Sequence, residues 1–166
     1  MHDAAAPTQR DASAPVRPDF ASTQSLVAAE GQMLGRSDWL QIDQTRINLF
    51  ADATGDHQWI HVDPVRAATG PFGATIAHGY LTLSLANLFL PDILHVKMRM
   101  GLNYGSERVR FPAPVRVGSR LRGSGKMLKV TVLPDGGVQC CIQVTIEIEG
   151  GERPACVVET LNRYYF

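Results

Sequence analysis

Four residues suited to proton transfer or metal binding lie within one short segment, "ATGDHQWIHVDP", at positions 53–64. They are Asp56, His57, His61 and Asp63. A carboxylate and an imidazole that face one small cavity can hold a water molecule and transfer a proton. The same side chains also bind divalent metals, and in polar loops they bond only to nearby backbone groups. The residue types alone leave all three interpretations open.

The spacing of these residues helps to separate the three interpretations. Asp56 and His61 are five positions apart, so a helix would hold them about 140° apart and a strand would place them on opposite faces. A loop can bring them together. The metal interpretation uses His57 and His61 with Asp56 or Asp63, but the segment lacks the glutamate of the HExxH motif. We therefore predict no metal site, and an acid–base pair or a polar loop remains.

Two predicted helices flank this segment. Asp43 is a predicted N-cap, and the stretch "QTRINLFADAT" after it has apolar residues at helical spacing. Gly55 is suited to end this helix. Asp63 followed by Pro64 indicates the start of a second short helix, which ends near Gly70. The segment with the candidate pair is therefore predicted to be mostly a loop between two helices.

A longer helix is predicted over residues 75–91, "TIAHGYLTLSLANLFLP", with Pro91 closing it. Apolar residues occur almost all round this helix, which indicates that it is buried. About fifteen residues at 1.5 Å rise span roughly 22 Å, which is too short to cross a bilayer.

Strand patterns dominate the rest of the chain. A short strand is predicted within residues 34–42, and residues 138–149, "VQCCIQVTIEIE", alternate between apolar and mostly polar positions. Turn sequences separate predicted strands near 121–133, 138–149 and 155–166, which form an antiparallel meander. Its apolar face requires a cover, and the predicted central helix is apolar enough to provide one. The predicted fold class is α+β, a curved antiparallel sheet around a buried helix.

The composition limits the domain organisation and the partners. The chain has 166 residues, 45% of them hydrophobic, which is enough for one core. Residues 1–22 are rich in alanine, proline and polar residues, so we predict a flexible tail there and a single domain at 23–166. The formal net charge is zero, which disfavours nucleic acid and membrane surfaces as partners.

The three cysteines and the first residues indicate the compartment. Cys140, Cys141 and Cys156 form no CxxC pair, so neither a disulfide framework nor a structural zinc site is expected. The N-terminus lacks the apolar stretch of a signal peptide. We therefore predict a cytoplasmic location.

The stretches "FADATGDHQWIHVDPVRAA" and "GATIAHGYLTLSL" resemble the MaoC-like dehydratases, which include (R)-specific enoyl-CoA hydratases and a nodulation-protein-N-like branch. The resemblance extends to "NYGSERVRFPAPVRVGSRLR" and covers roughly residues 30–162. The family motif has Asn-Pro where this chain has Gln58 and Trp59, a departure that looks characteristic of the nodulation-protein-like branch. The resemblance implies a hot-dog fold and a homodimer with sites near its interface.

The resemblance also implies an activity and site residues. Asp56 and His61 would be the catalytic pair of a hydratase that adds water reversibly to trans-2-enoyl thioesters. Gly79 would offer its backbone N–H to the thioester carbonyl. The substrate would be an acyl-CoA or acyl-carrier thioester, with no cofactor beyond the CoA that belongs to the substrate. The residues expected to contact it are Gly55, Gln58, Trp59, His78, Tyr80, Arg108 and Arg110. Ordinary hydrogen bonding for His57 and His78, and simple packing for Trp59, remain alternatives.

A basic stretch suits the phosphates of such a carrier. Residues 96–130 contain nine lysines and arginines but a single acidic residue, Glu107. Arg108 and Arg110 are the first choices for phosphate contacts. The alternative is that these charges only keep the outer strand faces solvated.

Two other functions remain open from the sequence. A hot-dog thioesterase would direct an activated water at the thioester carbonyl instead of C3. A non-catalytic subunit would bind acyl thioesters without acting on them. Intact Asp56, His61 and Gly79 argue against the second of these.

Overall fold

The computed structural model describes residues 16–166 of the protein. Along this part of the chain the elements are β1 Asp19–Phe20, α1 Thr23–Ala28, β2 Met33–Arg36, β3 Leu40–Gln41, α2 Gln44–Thr54, α3 Trp59–Val62, α4 Pro64–Ala68, α5 Gly79–Ile93, β4 His95–Val96, β5 Met100–Arg110, β6 Arg120–Val132, β7 Val138–Ile148 and β8 Cys156–Tyr165.

The main sheet has the strand order β2-β6-β7-β8-β5, with β3 also pairing to β6. The pairs β6–β7, β7–β8 and β5–β8 are antiparallel, so the predicted meander is confirmed. Alternate residues of β7 from Val138 to Ile146 are fully buried and face α5, which packs across β2, β6, β7 and β8. The predicted α+β arrangement, a curved antiparallel sheet around a central helix, is confirmed.

Helix α5 begins later and ends later than predicted. The backbone of residues 75–77 bonds to other segments, because the Ile76 N–H donates to the Ile60 carbonyl and the Ala77 N–H donates to that of Val115. The Thr75 carbonyl, which would accept from the Gly79 N–H in a helix that began there, accepts from the Val117 N–H, and His78 has ψ of 141°, so α5 starts at Gly79 instead of residue 75. Pro91 lies inside the helix, which continues to Ile93.

Two glycines of β6 allow α5 to lie close to the sheet. A Cβ atom added at Gly123 would come 2.8 Å from the Cβ of Phe89, and one at Gly125 would collide with Ile93. Both partners belong to the buried face of α5. Larger residues at these positions would push the helix away from the sheet.

The N-terminal boundary differs from the prediction. Residues 1–15 lie outside the described part of the chain, but strand β1 falls within the predicted tail and pairs in parallel with β4. Phe20 is 6% exposed and belongs to the hydrophobic core. Regular structure therefore begins before residue 23, because Phe20 packs in the core.

The three cysteines are buried and free. Burial raises the pKa of Cys140 to about 12 and that of Cys156 to about 11. Burial also raises the pKa of Cys141, and the nearby carboxylates of Glu107 and Glu159 add to this effect. All three thiols therefore stay protonated at neutral pH. Within residues 16–166, no helix has the length and hydropathy that crossing a membrane requires.

Candidate active site

The predicted loop between α2 and α4 is present, with the single turn of α3 inside it. Asp43 caps the start of α2, and Gly55 ends that helix in the left-handed conformation, with φ of 78°. Asp63 caps α4 by accepting a hydrogen bond from the Arg66 N–H. The chain reverses within this loop and brings Asp56 towards His61. A carboxylate oxygen of Asp56 and ring nitrogens of His61 and His78 all lie within 4.8 Å of one another.

His61 is buried, and its ring orientation is fixed by a backbone group. The side chain lies on α3, and the residue is 6% exposed. Its Nδ1 lies 2.7 Å from the carbonyl oxygen of Ile76. A carbonyl can only accept, so Nδ1 carries the hydrogen and, in the neutral ring, Nε2 is left as an acceptor.

The surroundings of His61 favour its neutral form. Burial lowers the pKa of His61, and the neighbouring His78 lowers it further. The bond to Ile76 and the charge of Asp56 oppose this shift but do not cancel it. At neutral pH the Nε2 atom of His61 is therefore available to accept a proton.

Asp56 is more exposed and less firmly held than His61. Its side chain is 56% exposed. One carboxylate oxygen accepts a long hydrogen bond from the Gln58 N–H at 3.4 Å, and the Asp56 N–H donates to the Thr54 hydroxyl at 3.5 Å. The shortest bond recorded for Asp56 joins its backbone carbonyl to Nε2 of His78 at 2.9 Å.

A cavity of about 310 Å³ adjoins His61. It is mostly apolar, and the residues around it are His61, Phe72, Ile76, Ala77, Gly79, Thr82, Phe111, Ala113, Pro114, Val115 and Ala155. Gly79 is the first residue of α5, so its N–H has no acceptor within the helix. A positive helix terminus and a free N–H therefore lie beside an apolar cavity with an imidazole in its wall.

The predicted site residues divide into two groups. His61 and Gly79 line the cavity, and Asp56 lies near His61. The others are absent from its wall: Gly55, Gln58, Trp59, His78, Tyr80, Arg108 and Arg110. Trp59 packs against Gly70 and beneath the Arg66 guanidinium. Tyr80 is 71% exposed and makes an edge-on contact with the cavity residue Phe111.

Within residues 16–166, two groups of side chains have the spacing to hold a metal ion. The first, Asp56, His61 and His78, differs from the set that spacing suggested, because His57 bonds to Asp52 at 3.0 Å instead. The second is Glu107, Cys141 and Glu159 on the opposite face of the sheet. Burial and the two carboxylates raise the pKa of Cys141 in that second group, and a protonated thiol is a poor metal ligand.

Several residues around the site were not predicted from the sequence. Gln44 of α2 donates to the His61 carbonyl at 2.7 Å and accepts from the Thr75 hydroxyl at 2.5 Å. It thereby ties α2 to both His61 and the segment before α5. Phe111 and Ala155 come from segments distant in sequence. For Phe111, the family-like stretch "RFPAPVRVG" was an available signal.

Comparison with known proteins identifies the family of the chain. A family model described as "MaoC like domain" matches residues 25–137. The 3-hydroxyacyl-thioester dehydratase Z of Mycobacterium tuberculosis (strain ATCC 25618 / H37Rv) is 53% identical over 146 residues, which are 87% of this chain and 97% of that protein. Nodulation protein N of Rhizobium leguminosarum bv. viciae is 51% identical over 141 residues, which are 82% of this chain and 86% of that protein.

A solved structure supports the fold. The (R)-hydratase from A. caviae involved in PHA biosynthesis superposes with a TM-score of 0.64 at 25% sequence identity, covering 79% of this chain and 95% of that one. This likeness confirms the expected hot-dog fold. Because the family model spans more than half of the chain and close relatives match over most of their length, the chain belongs to the MaoC-like dehydratase family.

Proposed function

We propose that the protein adds water reversibly across the double bond of trans-2-enoyl-CoA thioesters to give (3R)-hydroxyacyl thioesters. The observation that carries this proposal is the placement of an Asp56 carboxylate oxygen within 4.8 Å of a ring nitrogen of His61, beside an apolar cavity that Gly79 also lines. The (R) configuration is proposed from the (R)-hydratase of similar structure. The 3-hydroxyacyl-thioester dehydratase of similar sequence supports this substrate class.

The acid–base step follows from the tautomer of His61. A carboxylate oxygen of Asp56 and a ring nitrogen of His61 lie within 4.8 Å of each other, and one water can bridge this distance, since each bond to a water is about 2.8 Å long. The water oxygen forms a bond to C3 as one of its protons passes to Nε2 of His61. The second O–H of the water donates a hydrogen bond to the Asp56 carboxylate. The electron pair of the double bond moves towards the thioester oxygen. The imidazolium, which the Asp56 charge stabilises, then delivers its proton to C2 on the same face.

The enolate formed in this step needs a hydrogen-bond donor at the thioester oxygen. Gly79 lines the cavity and its N–H has no helical acceptor, so we propose that this N–H bonds to the oxygen. The start of a fifteen-residue helix adds a favourable dipole. Proton transfer and charge stabilisation are both supplied by protein groups. We therefore propose that the reaction needs no metal or cofactor and proceeds unchanged in EDTA.

The pH dependence of the reaction should report His61. Its pKa lies below the ordinary value of 6.5, mainly because it is buried. Protonation of Nε2 removes the proton acceptor, so we expect kcat/KM for hydration to have an acid limb with its midpoint below pH 6.5. The measurement is the pH profile for crotonyl-CoA. The control is His57→Gln, which removes an exposed histidine whose pKa its bond to Asp52 raises, and the limb should stay in place. A midpoint above pH 6.5 would contradict the role of His61.

We propose that Arg108 and Arg110 contact the phosphates of the carrier. Both lie on β5 with exposed side chains. Arg110 directly precedes the cavity residue Phe111, and Arg108 lies three positions before it. Arg108 reaches Glu159 only at 3.8 Å, and Arg110 bonds to the neighbouring Val109 carbonyl. Arg110 can therefore turn towards a phosphate without breaking an ion pair, and Arg108 gives up only a long contact with Glu159.

Arg110→Ala is expected to raise KM for crotonyl-CoA about tenfold with little change in kcat, because a charge-assisted hydrogen bond to phosphate is lost. Crotonyl-pantetheine lacks the nucleotide phosphates, so its KM should not respond. Lys126→Ala, an exposed basic residue on β6, is the matched control. An equal rise in KM for both substrates would mean that Arg110 does not bind the nucleotide part.

We also propose that two copies of the chain pair along β5. This strand forms one edge of the sheet and exposes apolar side chains, among them Leu102 at 46% and Tyr104 at 57%. A long apolar edge strand normally requires a partner. Leu102→Glu is expected to shift the protein to monomer in sedimentation velocity. Met33→Glu, at the opposite edge, should leave the dimer intact. A monomeric wild-type protein would overturn this proposal.

The function is tested with purified protein and crotonyl-CoA. Loss of absorbance at the enoyl band without release of free thiol identifies hydration. Release of thiol identifies a thioesterase, and binding without either change identifies a non-catalytic subunit. Each of the last two results would overturn the proposal.

The buried, protonated thiols of all three cysteines also suit the reducing cytoplasm, which we propose as the location.

A further inference from the structure

His78 holds a central position that the reaction above does not use. It is the N-cap of α5 and is 3% exposed. Its ring stacks on that of His61, with centroids 3.8 Å apart and planes inclined by 23°, and Phe50 of α2 covers it at 5.0 Å. The residue is absent from the cavity wall, which contains its neighbours Ala77 and Gly79.

The two ring nitrogens of His78 have different surroundings. Nε2 lies 2.9 Å from the backbone carbonyl of Asp56, so Nε2 carries the hydrogen and donates it. Nδ1 is buried without a hydrogen-bond partner, and within residues 16–166 it is the one buried side-chain nitrogen or oxygen in this situation. Packing alone does not explain a histidine there, because an apolar side chain would avoid an unpaired buried nitrogen.

We propose that His78 is the positioning residue that fixes Asp56 relative to His61 and to the N-terminus of α5, an inference that rests on the proposed hydratase function. Asp56 is otherwise held by two long hydrogen bonds and has an exposed side chain. The bond from His78 therefore provides its main restraint. The ring stack sets the plane of the His61 imidazole from the same side chain. His78 thus adjoins Asp56, His61 and the start of α5. We propose this positioning role in place of the substrate contact expected from the sequence.

The chemistry of the amide side chains provides a matched pair of variants. The glutamine Nε2 is four bonds from Cα, as is the histidine Nε2, so His78→Gln retains a donor that reaches Asp56. The asparagine Nδ2 is three bonds from Cα, so His78→Asn presents the same amide one bond too short. Both variants lose the ring stack and the unpaired nitrogen equally. They differ in the bond to Asp56 and in one buried methylene group, and kinetic constants are affected mainly by the first.

The test compares kcat and KM of both full-length variants for crotonyl-CoA hydration. We expect His78→Asn to lower kcat about 10²-fold relative to His78→Gln with little change in KM, because a misplacement of about 1 Å is costly at a reacting centre. The thermal midpoint of His78→Asn should be a few degrees lower, because it lacks the hydrogen bond and one buried methylene group, and both variants should be fully folded at the assay temperature. Equal kcat in both variants would overturn the proposal, as would a loss confined to KM, which would indicate substrate contact.

A second measurement does not depend on activity. Long-range ¹H–¹⁵N spectra of the wild-type protein should show the Nε2–H tautomer of His78, and the carbonyl carbon of Asp56 should shift in His78→Asn more than in His78→Gln. A wild-type protein without hydratase activity that shows these signals would overturn the proposed function but retain the restraint on Asp56. The Nδ1–H tautomer would overturn the inference itself.

Discussion

Asp56→Asn is expected to lower kcat for hydration by about 10²- to 10⁴-fold, the range that general acid–base groups contribute. The asparagine amide keeps the shape of the carboxylate but carries no charge to hold the water or stabilise the imidazolium. Because the Asp56 side chain is exposed and its hydrogen bond from Gln58 is long, the thermal midpoint should change little. Steady-state kinetics with crotonyl-CoA measure the loss, and full activity of the purified variant would remove Asp56 from the mechanism.

His61→Asn is the partner experiment. The asparagine Nδ2 is as many bonds from Cα as the histidine Nδ1, so the bond to the Ile76 carbonyl can be kept while the Nε2 acceptor is lost. We expect a loss of kcat similar to that of Asp56→Asn. The double variant should lose little more than either single variant, because groups that act as a unit are not additive.

The protein contains a matched control for this pair. Asp52 and His57 are also an aspartate and a histidine five positions apart, and their side chains form a bond of 3.0 Å beside the same loop. Both are exposed and lie away from the cavity wall. Asp52→Asn and His57→Gln should leave kcat unchanged. A loss in these variants equal to that at Asp56 or His61 would mean that the loop as a whole, not the proposed pair, determines activity.

Gly79→Ala is expected to lower kcat/KM by about 10²-fold, comparable to the loss of one oxyanion donor. The added Cβ would lie 3.3 Å from the Phe111 ring, at the cavity edge where the thioester must approach the Gly79 N–H. Kinetics with crotonyl-CoA test this expectation. Ser84→Ala, at an exposed position of the same helix, should have little effect.

A second variant separates two causes of the loss at Gly79. If the methyl group acts only by displacing the Phe111 ring, Gly79→Ala combined with Phe111→Leu should recover activity. We expect no recovery, because the methyl group itself hinders the thioester oxygen. Unchanged kcat/KM in Gly79→Ala alone would place the oxygen elsewhere.

The features of the fold that the sequence predicted depend on interactions between residues close together in the chain. The N-caps Asp43 and Asp63 and the terminal Gly55 act through hydrogen bonds or backbone angles within one turn, and the structure places all three as predicted. The alternation along β7 depends only on which face is buried. The start of α5 was not predictable in this way. It depends on bonds from residues 76 and 77 to Ile60 and Val115, which no local pattern contains.

The same distinction applies to the site. Asp56 and His61 are only five positions apart, and the family resemblance implied that they form a pair. The walls of the cavity could not be predicted from such proximity, because Phe111 and Ala155 reach it through the pairing of distant strands. The bridge made by Gln44 joins residues 17 and 31 positions away. Such contacts are a property of the assembled sheet and helix.

The buried cysteines have a practical consequence for the decisive assay. Disulfide reagents such as Ellman's reagent react with thiolates. The raised pKa values of Cys140, Cys141 and Cys156 keep these thiols protonated. Their burial in the folded protein also limits access of the reagent. A colour change during incubation with an acyl-CoA therefore comes from released coenzyme and not from the enzyme. The thiol assay can therefore distinguish hydrolysis from hydration without a signal from the protein's own cysteines.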